Sequence, residues 1–352
     1  MALAALLIAG GCDLIEPVEM EEEALSFRVS WGQSIRDMAN AAASAYKTEG
    51  QGDARDEITV GGITHTRAMT FNNNDDGVRV SVFEYQTCQT ASIVVSFRGT
   101  QVPNFCDLRD DAVGAIQVER DPKNPWDSNL SISGDAEVGR GFYNRVANYM
   151  NSSEGQNLKS YLDGLNDGTQ KVNIHVVGHS LGGVSSAIFS QFLAQYRAEH
   201  FRQEKKEDFK QFNFAFNSPL GMNDSFRNDS RGFYGLARNG WFTPFGFNVE
   251  GDAVSETKFL EDFVTTYDSN TEVSTGSATY RPFAQIQLPA GTSLLSKHKL
   301  EPNIGLWASE VGGRGDMGSA YQPFPVGSSD ETPSSDTPSC GCDLYLNQSC
   351  PR

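Results

Sequence analysis

One serine in this chain lies in a setting that favours covalent chemistry. Residues 178–182, GHSLG, fit the pattern G-x-S-x-G, which a chain of this length contains by chance about one time in ten. The β-branched run 171–177 before it predicts a short buried strand, and the four-residue spacing of apolar residues in 181–200 predicts a helix. A strand, a tight turn and a helix are the context in which such a serine acts as a nucleophile. The sequence therefore predicts Ser180 as a nucleophile, in preference to a structural glycine-rich turn.

A serine hydroxyl reacts near neutral pH only with an adjacent base, usually a histidine that a carboxylate orients. In α/β-hydrolases the carboxylate and then the histidine follow the serine along the chain. Of the two histidines after Ser180, His200 ends the predicted helix and is expected far from the serine, so His298 is predicted as the base. The alternative for His298 is a surface position between two lysines. His175 is predicted as a packed core residue, and His179 as a neighbour of the base.

The acid of such a triad is expected just beyond the end of a late strand. Asp252, in the segment PFGFNVEGDAVS, meets this expectation, and Glu250 is a close rival. Asp208 lies in a charged run that is typical of a solvated face. The other aspartates considered are Asp224, Asp229, Asp262 and Asp268.

Strand-like and helical segments alternate along the chain. Helices are predicted over 30–46 and 141–150, in addition to the one after Ser180. Strands are predicted in the segments 77–85, 92–100, 211–219, 243–252 and 281–289. This alternation predicts an α/β fold with a mostly parallel central sheet and helices on both faces.

The composition and the first residues bear on location and partners. The net charge of −17 argues against nucleic acid as a partner. Residues 1–12 resemble a signal with a bacterial lipobox, so we expect export and a membrane tether through lipidated Cys12. The segment departs from the usual lipobox because no Lys or Arg precedes the apolar run and Ala9 replaces the usual leucine. Plain secretion and an ordinary apolar N-terminus are the alternatives. Residues 13–26 are predicted to be an acidic spacer.

The six cysteines are consistent with an oxidising compartment. Cys88 and Cys106 flank a predicted strand and could form a disulfide across it. The remaining cysteines after Cys12 crowd the C-terminus, in a Gly/Ser/Pro-rich linker and tail predicted over 311–352. The spacing of the cysteines gives no support to a metal site. The main domain is predicted over 27–310, between the acidic spacer and this tail.

Six segments in order, IVVSFRGT, GRGFYNRV, VVGHSLGG, FNSPLGMND, NVEGDAVS and the late His298, resemble the landmarks of class 3 (fungal-type) lipases. The resemblance runs from about Trp31 to Trp307. It implies an α/β-hydrolase fold and hydrolysis of carboxylic esters of acylglycerols, phospholipids or feruloylated sugars. It also implies that the backbone N–H groups of Thr100 and Leu181 form the oxyanion hole, and that no metal or organic cofactor takes part.

The chain departs from that family's pattern after Thr100, because the Trp and Asp common there are replaced by Phe105 and Cys106. The long stretch 101–138 is loop-like in sequence and could be a lid or a loop that narrows specificity. The expected activity is that of a triacylglycerol lipase or carboxylesterase. Phospholipase A1, a feruloyl-type esterase, or an inactive lipid- or partner-binding lipoprotein are the alternatives. The sequence does not indicate an oligomeric state.

Overall fold

A computed structural model of the chain describes the segments that form its sheet and helices. The described residues are 31–46, 56–73, 78–87, 89–99, 118–132, 136–168, 170–202, 208–219, 221–222, 226, 242–250, 252 and 284–312. Cys12, Cys88, Thr100 and Cys106 lie outside these residues, as does the C-terminal tail after 312. The predicted lipidation and disulfide therefore stay predictions.

An eight-stranded sheet forms the centre of the described fold. In spatial order its strands are β1 (Glu57–Val60), β2 (Ile63–Asn73), β3 (Val78–Gln86), β4 (Thr90–Phe97), β9 (Lys171–His179), β10 (Phe209–Phe216), β11 (Phe242–Val249) and β12 (Ala284–Ile286). The first three pairings are antiparallel, and every pairing from β4 onward is parallel. This arrangement confirms the predicted α/β fold with a mostly parallel central sheet.

The described helices cover both faces of the sheet. They are α1 (Trp31–Ser44), α2 (Arg140–Asn151), α3 (Ser153–Asp167), α4 (Leu181–His200), α5 (Leu294–His298) and α6 (Ile304–Gly312), with a short 3-10 turn over Glu301–Asn303 before α6. The last helix ends two residues beyond the boundary predicted at 310.

Alternate residues of the central strands enter two separate hydrophobic cores. Val176 packs in the core with α2, α3 and α4, whereas its neighbour Val177 packs in the core with α1 and α6. Because successive side chains of a strand point to opposite faces, a continuously apolar strand is buried on both sides. This explains why the apolar run 171–177 forms a central strand, β9, whose residues after Lys171 are all buried.

The helix predicted over 30–46 ends earlier than expected, at Ser44. Its spacing was nevertheless informative, since Ile35, Met38 and Ala42 are fully buried in the second core. Tyr46 follows the helix in a turn, which directs its side chain toward the carboxyl end of β9.

A hairpin formed by β1 and β2 was not predicted from the sequence. Its turn is Gly61-Gly62, and both glycines have a positive φ, 61° and 81°, a conformation that glycine adopts without steric cost. Residues 71–73 complete β2.

Four short strands lie in the described part of the stretch 101–138, which was expected to be loop-like, and the last of them extends to Gly139. They are β5 (Val118–Arg120), β6 (Lys123–Asn124), β7 (Asp127–Ser131) and β8 (Glu137–Gly139), which pair as β5 with β8 and β6 with β7. Trp126, between β6 and β7, packs edge-to-face on Phe189 and Tyr196, both at 5.6 Å between ring centroids.

The contact of Trp126 with Phe189 shows where the middle of the stretch 118–139 lies relative to Ser180. Phe189 is nine residues along α4 from Ser180, which places it about 13 Å further along the helix axis. Trp126 also donates from Nε1 to the carbonyl of Met150 at 3.0 Å. Residues 123–131 therefore pack against the body of the molecule, and residues 101–117 lie outside the described residues.

Candidate active site

Ser180 occupies the turn between β9 and α4, as predicted. Its backbone has φ 58° and ψ −131°, a left-handed φ that costs a non-glycine residue about 1–3 kcal/mol and concentrates at functional sites. Its N–H donates to the carbonyl of Phe216 at 2.9 Å, and its own carbonyl accepts from the N–H of Gly183 at 2.8 Å. These bonds to β10 and α4 fix the turn.

The two glycines of the motif are required by close packing. A Cβ at Gly178 would collide with the carbonyl of Gly182, and a Cβ at Gly182 would collide with the carbonyl of Phe97 at the end of β4. Both neighbours are backbone atoms, which cannot rotate away as a side chain can. The pattern G-x-S-x-G is therefore the pattern that this turn demands.

Three side chains predicted as a triad meet at this turn. The Ser180 hydroxyl lies 2.9 Å from Nε2 of His298, and Nδ1 of His298 lies 3.1 Å from both carboxylate oxygens of Asp252. Asp252 is completely buried, and the other two side chains are almost so. The bond to the carboxylate puts the proton of His298 on Nδ1, which leaves Nε2 to accept the serine proton.

Ser180 and Asp252 follow the carboxyl ends of two strands of the sheet, β9 and β11, and His298 lies in a helix after β12. Asp252 comes three residues after the end of β11 in a turn closed by its own N–H and the carbonyl of Val249, 3.1 Å apart. His298 is the last residue of α5. Because β9, β10 and β11 are parallel, their carboxyl ends lie at one edge of the sheet, where such sites form.

Two buried asparagines bind the backbone around His298, and neither was found from the sequence. Asn217, directly after β10, donates from Nδ2 to the carbonyls of Lys297 and His298 at 3.1 and 3.2 Å. Asn303 donates from Nδ2 to the carbonyls of Lys297 and Lys299 at 3.0 and 2.6 Å. An Asn followed by Ser-Pro looks like a simple loop, so its role shows only in the tertiary structure.

The rival acids do not reach the histidine. Glu250 is exposed, and its carboxylate accepts a bond from Gln287 at 2.6 Å. Asp208 is partly buried at the start of β10, at the end of that strand opposite the site. The remaining candidates, Asp224, Asp229, Asp262 and Asp268, lie outside the described residues.

Two other histidines are buried in the sheet away from the triad. His175 stacks on Phe212 with 5.2 Å between ring centroids, and burial lowers its pKa to about 3. Nε2 of His65 lies 2.8 Å from the hydroxyl of Ser92, and burial lowers the pKa of His65 to about 4. His200 is at the far end of α4, paired with Asp127 at 2.8 Å. The positions of His175 and His200 agree with the sequence analysis.

His179 lies beside His298, as expected. Its Nε2 is 2.7 Å from the carbonyl of His298, and its Nδ1 is 2.9 Å from the hydroxyl of Tyr46. Burial, and then the charge of His298, lower the pKa of His179 to about 3. The ring of His179 is therefore neutral near neutral pH.

Leu181 is the first residue of α4, so its N–H has no acceptor within the helix and lies at the positive end of the helix dipole. Such an N–H can stabilise an oxyanion formed beside Ser180. Thr100, the second predicted donor, follows the last described residue of its segment, Gly99.

In the described part of the chain, no group of three or more His, Cys, Asp and Glu side chains is arranged to bind a metal ion. None of the helices in those segments has the length and apolar character needed to cross a bilayer.

Residues 94–235 match the family model described as lipase (class 3). The match confirms the resemblance to class 3 lipases that the sequence shows, over these residues, which are less than half of the chain. The matched range includes Ser180 and ends before Asp252 and His298, so the case for these two residues depends on their geometry.

Solved structures of fungal lipases are similar to the chain. A lipase from Rhizopus microsporus var. chinensis is 18% identical with a TM-score of 0.42, over 63% of this chain and 67% of that one. A triacylglycerol lipase from Penicillium expansum is 16% identical with a TM-score of 0.40, over 67% and 75%. A lipase from Yarrowia lipolytica is 17% identical with a TM-score of 0.45, over 64% and 73%. No curated protein sequence matches the chain.

Proposed function

We propose that this protein hydrolyses lipid esters, as a triacylglycerol lipase or carboxylesterase, with Ser180 as nucleophile, His298 as base and Asp252 as the orienting acid. The observation that carries the proposal is the continuous hydrogen-bonded path from the Ser180 hydroxyl through both ring nitrogens of His298 to the buried carboxylate of Asp252. The class 3 lipase family supports the lipid ester as substrate.

In the proposed reaction, His298 takes the Ser180 proton at Nε2 while the serine oxygen attacks the ester carbonyl. Asp252 stabilises the imidazolium that forms. The backbone N–H groups of Leu181 and Thr100 stabilise the oxyanion, each contributing on the order of 10²–10³ in rate. His298 then protonates the leaving alcohol, and water, activated by the same ring, hydrolyses the acyl-enzyme and frees Ser180.

The acyl and head-group preference within the lipid esters is a separate question. Phospholipase A1 or a feruloyl-type esterase would use the same three residues, because specificity resides in the surrounding pocket. Export, with lipidation at Cys12, stays a prediction from the sequence.

The test is hydrolysis of p-nitrophenyl esters from C2 to C16 and of an emulsified triacylglycerol by the wild type and by Ser180→Ala. We expect Ser180→Ala to lower kcat by about 10⁴- to 10⁶-fold, since the members of such a triad act as a unit. The control is Ser153→Ala, at an exposed serine that bonds only its neighbour Glu154 in the described contacts. A folded Ser180→Ala protein that keeps its activity would overturn the proposal.

A further inference from the structure

Tyr46 links two parts of the candidate site that are far apart in sequence. Its hydroxyl accepts the backbone N–H of Gly99 and lies 2.9 Å from Nδ1 of His179. Gly99 directly precedes Thr100, and His179 directly precedes Ser180. The hydroxyl also lies 3.3 Å from the carbonyl of His179, and the tautomer of the His179 ring decides which of these two groups accepts its proton.

His179 carries this link on to the base. The carbonyl of His298 lies 2.7 Å from Nε2 and can only accept, so the proton of the neutral ring resides on Nε2, and Nδ1 accepts from the Tyr46 hydroxyl. The rings of His179 and His298 are 5.0 Å apart between centroids. A charged His179 would oppose the charge that His298 acquires when it takes the serine proton. Burial lowers the pKa of His179 to about 3, so the ring stays neutral.

We propose that Tyr46 and His179 are positioning residues, which fix the backbone of His298 so that its Nε2 stays in line with the Ser180 hydroxyl. The inference rests on the proposed function, because it assumes that Ser180 and His298 are nucleophile and base. Neither residue touches the reacting atoms in this proposal. They keep Nε2 of His298 at hydrogen-bond distance, 2.9 Å, from the Ser180 hydroxyl.

The carbonyl of His298 has a second donor, Asn217, at 3.2 Å. When the hydrogen bond from His179 is lost, Asn217 still binds the carbonyl of His298. We therefore expect an intermediate loss of kcat. A misplacement of about 1 Å can lower a rate by about 100-fold.

The test compares His179→Gln with His179→Met, two side chains of similar length and shape. The amide of Gln can reach the carbonyl of His298 from the position of Nε2, and Met offers no donor. We expect His179→Met to lower kcat by about 10- to 100-fold with KM unchanged, and His179→Gln to stay within about 3-fold of the wild type. Equal loss in both variants, or no loss in either, would overturn the inference.

Tyr46→Phe provides a second measurement that keeps the packing and removes only the hydroxyl. It should lower kcat by about 3- to 10-fold, the worth of one hydrogen bond, with KM unchanged. An unchanged kcat, or an effect on KM alone, would remove Tyr46 from the proposal.

Ser180→Ala measured beside these variants separates the two levels of the argument. If Ser180→Ala remains active, the proposed function fails. If it is inactive while His179→Met equals the wild type, only the positioning role fails.

Discussion

At the scale of single residues, Asp252 determines how His298 can act. Both carboxylate oxygens face the same ring nitrogen, and the carboxylate is fully buried. This geometry fixes the imidazole in the tautomer that carries its proton on Nδ1, so that Nε2 can accept the proton of Ser180.

Asp252→Asn should therefore lower kcat by about 10⁴-fold, because an amide N–H facing Nδ1 favours the wrong tautomer while the shape of the site is kept. Ester hydrolysis by the purified variant measures this loss. The matched control is Glu250→Gln, which changes the rival carboxylate two residues away and should leave kcat unchanged. The reverse pattern would assign the acid to Glu250.

The sequence was sufficient to predict that these three side chains come together, and the reason is physical. The order of serine, acid and histidine along the chain follows from the order of the strands, and only His298 follows the last predicted strand. The residues that bind the histidine's backbone were not predictable in the same way. Tyr46 is 133 residues from His179, and Asn217 is 81 residues from His298. Contacts of this kind depend on how elements pack, which no local pattern encodes.

At the scale of elements, the turn between β9 and α4 depends on the close approach of α4 to β4. Gly182 contacts the backbone of Phe97 and Gly99 with no room for a methyl group. Any side chain here must push the start of α4 away from the strand end that leads to Thr100.

Gly182→Ala should destabilise the fold by about 2–4 kcal/mol and lower kcat by at least about 10-fold, since both backbones must shift. Urea unfolding and ester hydrolysis measure the two effects. Gly305→Ala, in α6, is the control, because a Cβ there meets no atom within 4 Å. Similar behaviour of the two variants would show that the turn tolerates a side chain.

The elements around the serine were predicted well because β9 and α4 are long and strongly apolar. The short strands β5 to β8 were missed because their sequence is polar and carries turn residues. Tertiary contacts define them instead, such as the bond from Nδ2 of Asn124 to the carbonyl of Phe192 at 2.8 Å.

At the scale of the whole molecule, three buried histidines connect stability to pH. Burial lowers the pKa of His65 to about 4, and of His175 and His179 to about 3. Each has an ordinary pKa of 6.5 when unfolded, so the unfolded chain binds more protons as the pH falls below that value. The contribution of these three histidines to stability is therefore fully present above about pH 6.5. It is lost progressively as the pH falls from that value toward their pKa values in the folded protein.

His175→Phe should remove one of these contributions while keeping the stack on Phe212. Between pH 7.5 and 5.0, we expect its unfolding free energy in urea to fall by about 2 kcal/mol less than that of the wild type. Ser153→Ala, at an exposed serine without a titratable side chain, is the control and should follow the wild type closely. An identical pH dependence in His175→Phe would mean that His175 is charged in the folded protein.

The central claim is that His298 activates Ser180 as a nucleophile, and covalent labelling with a p-nitrophenyl alkylphosphonate tests it most directly. Mass spectrometry of the digested wild type should find one phosphonyl group, on Ser180, at full loss of activity. The His298→Ala variant, folded, should react at least about 10³-fold more slowly, because the serine lacks its base. Labelling at another residue, or equally fast labelling of Ser180 in His298→Ala, would contradict the account.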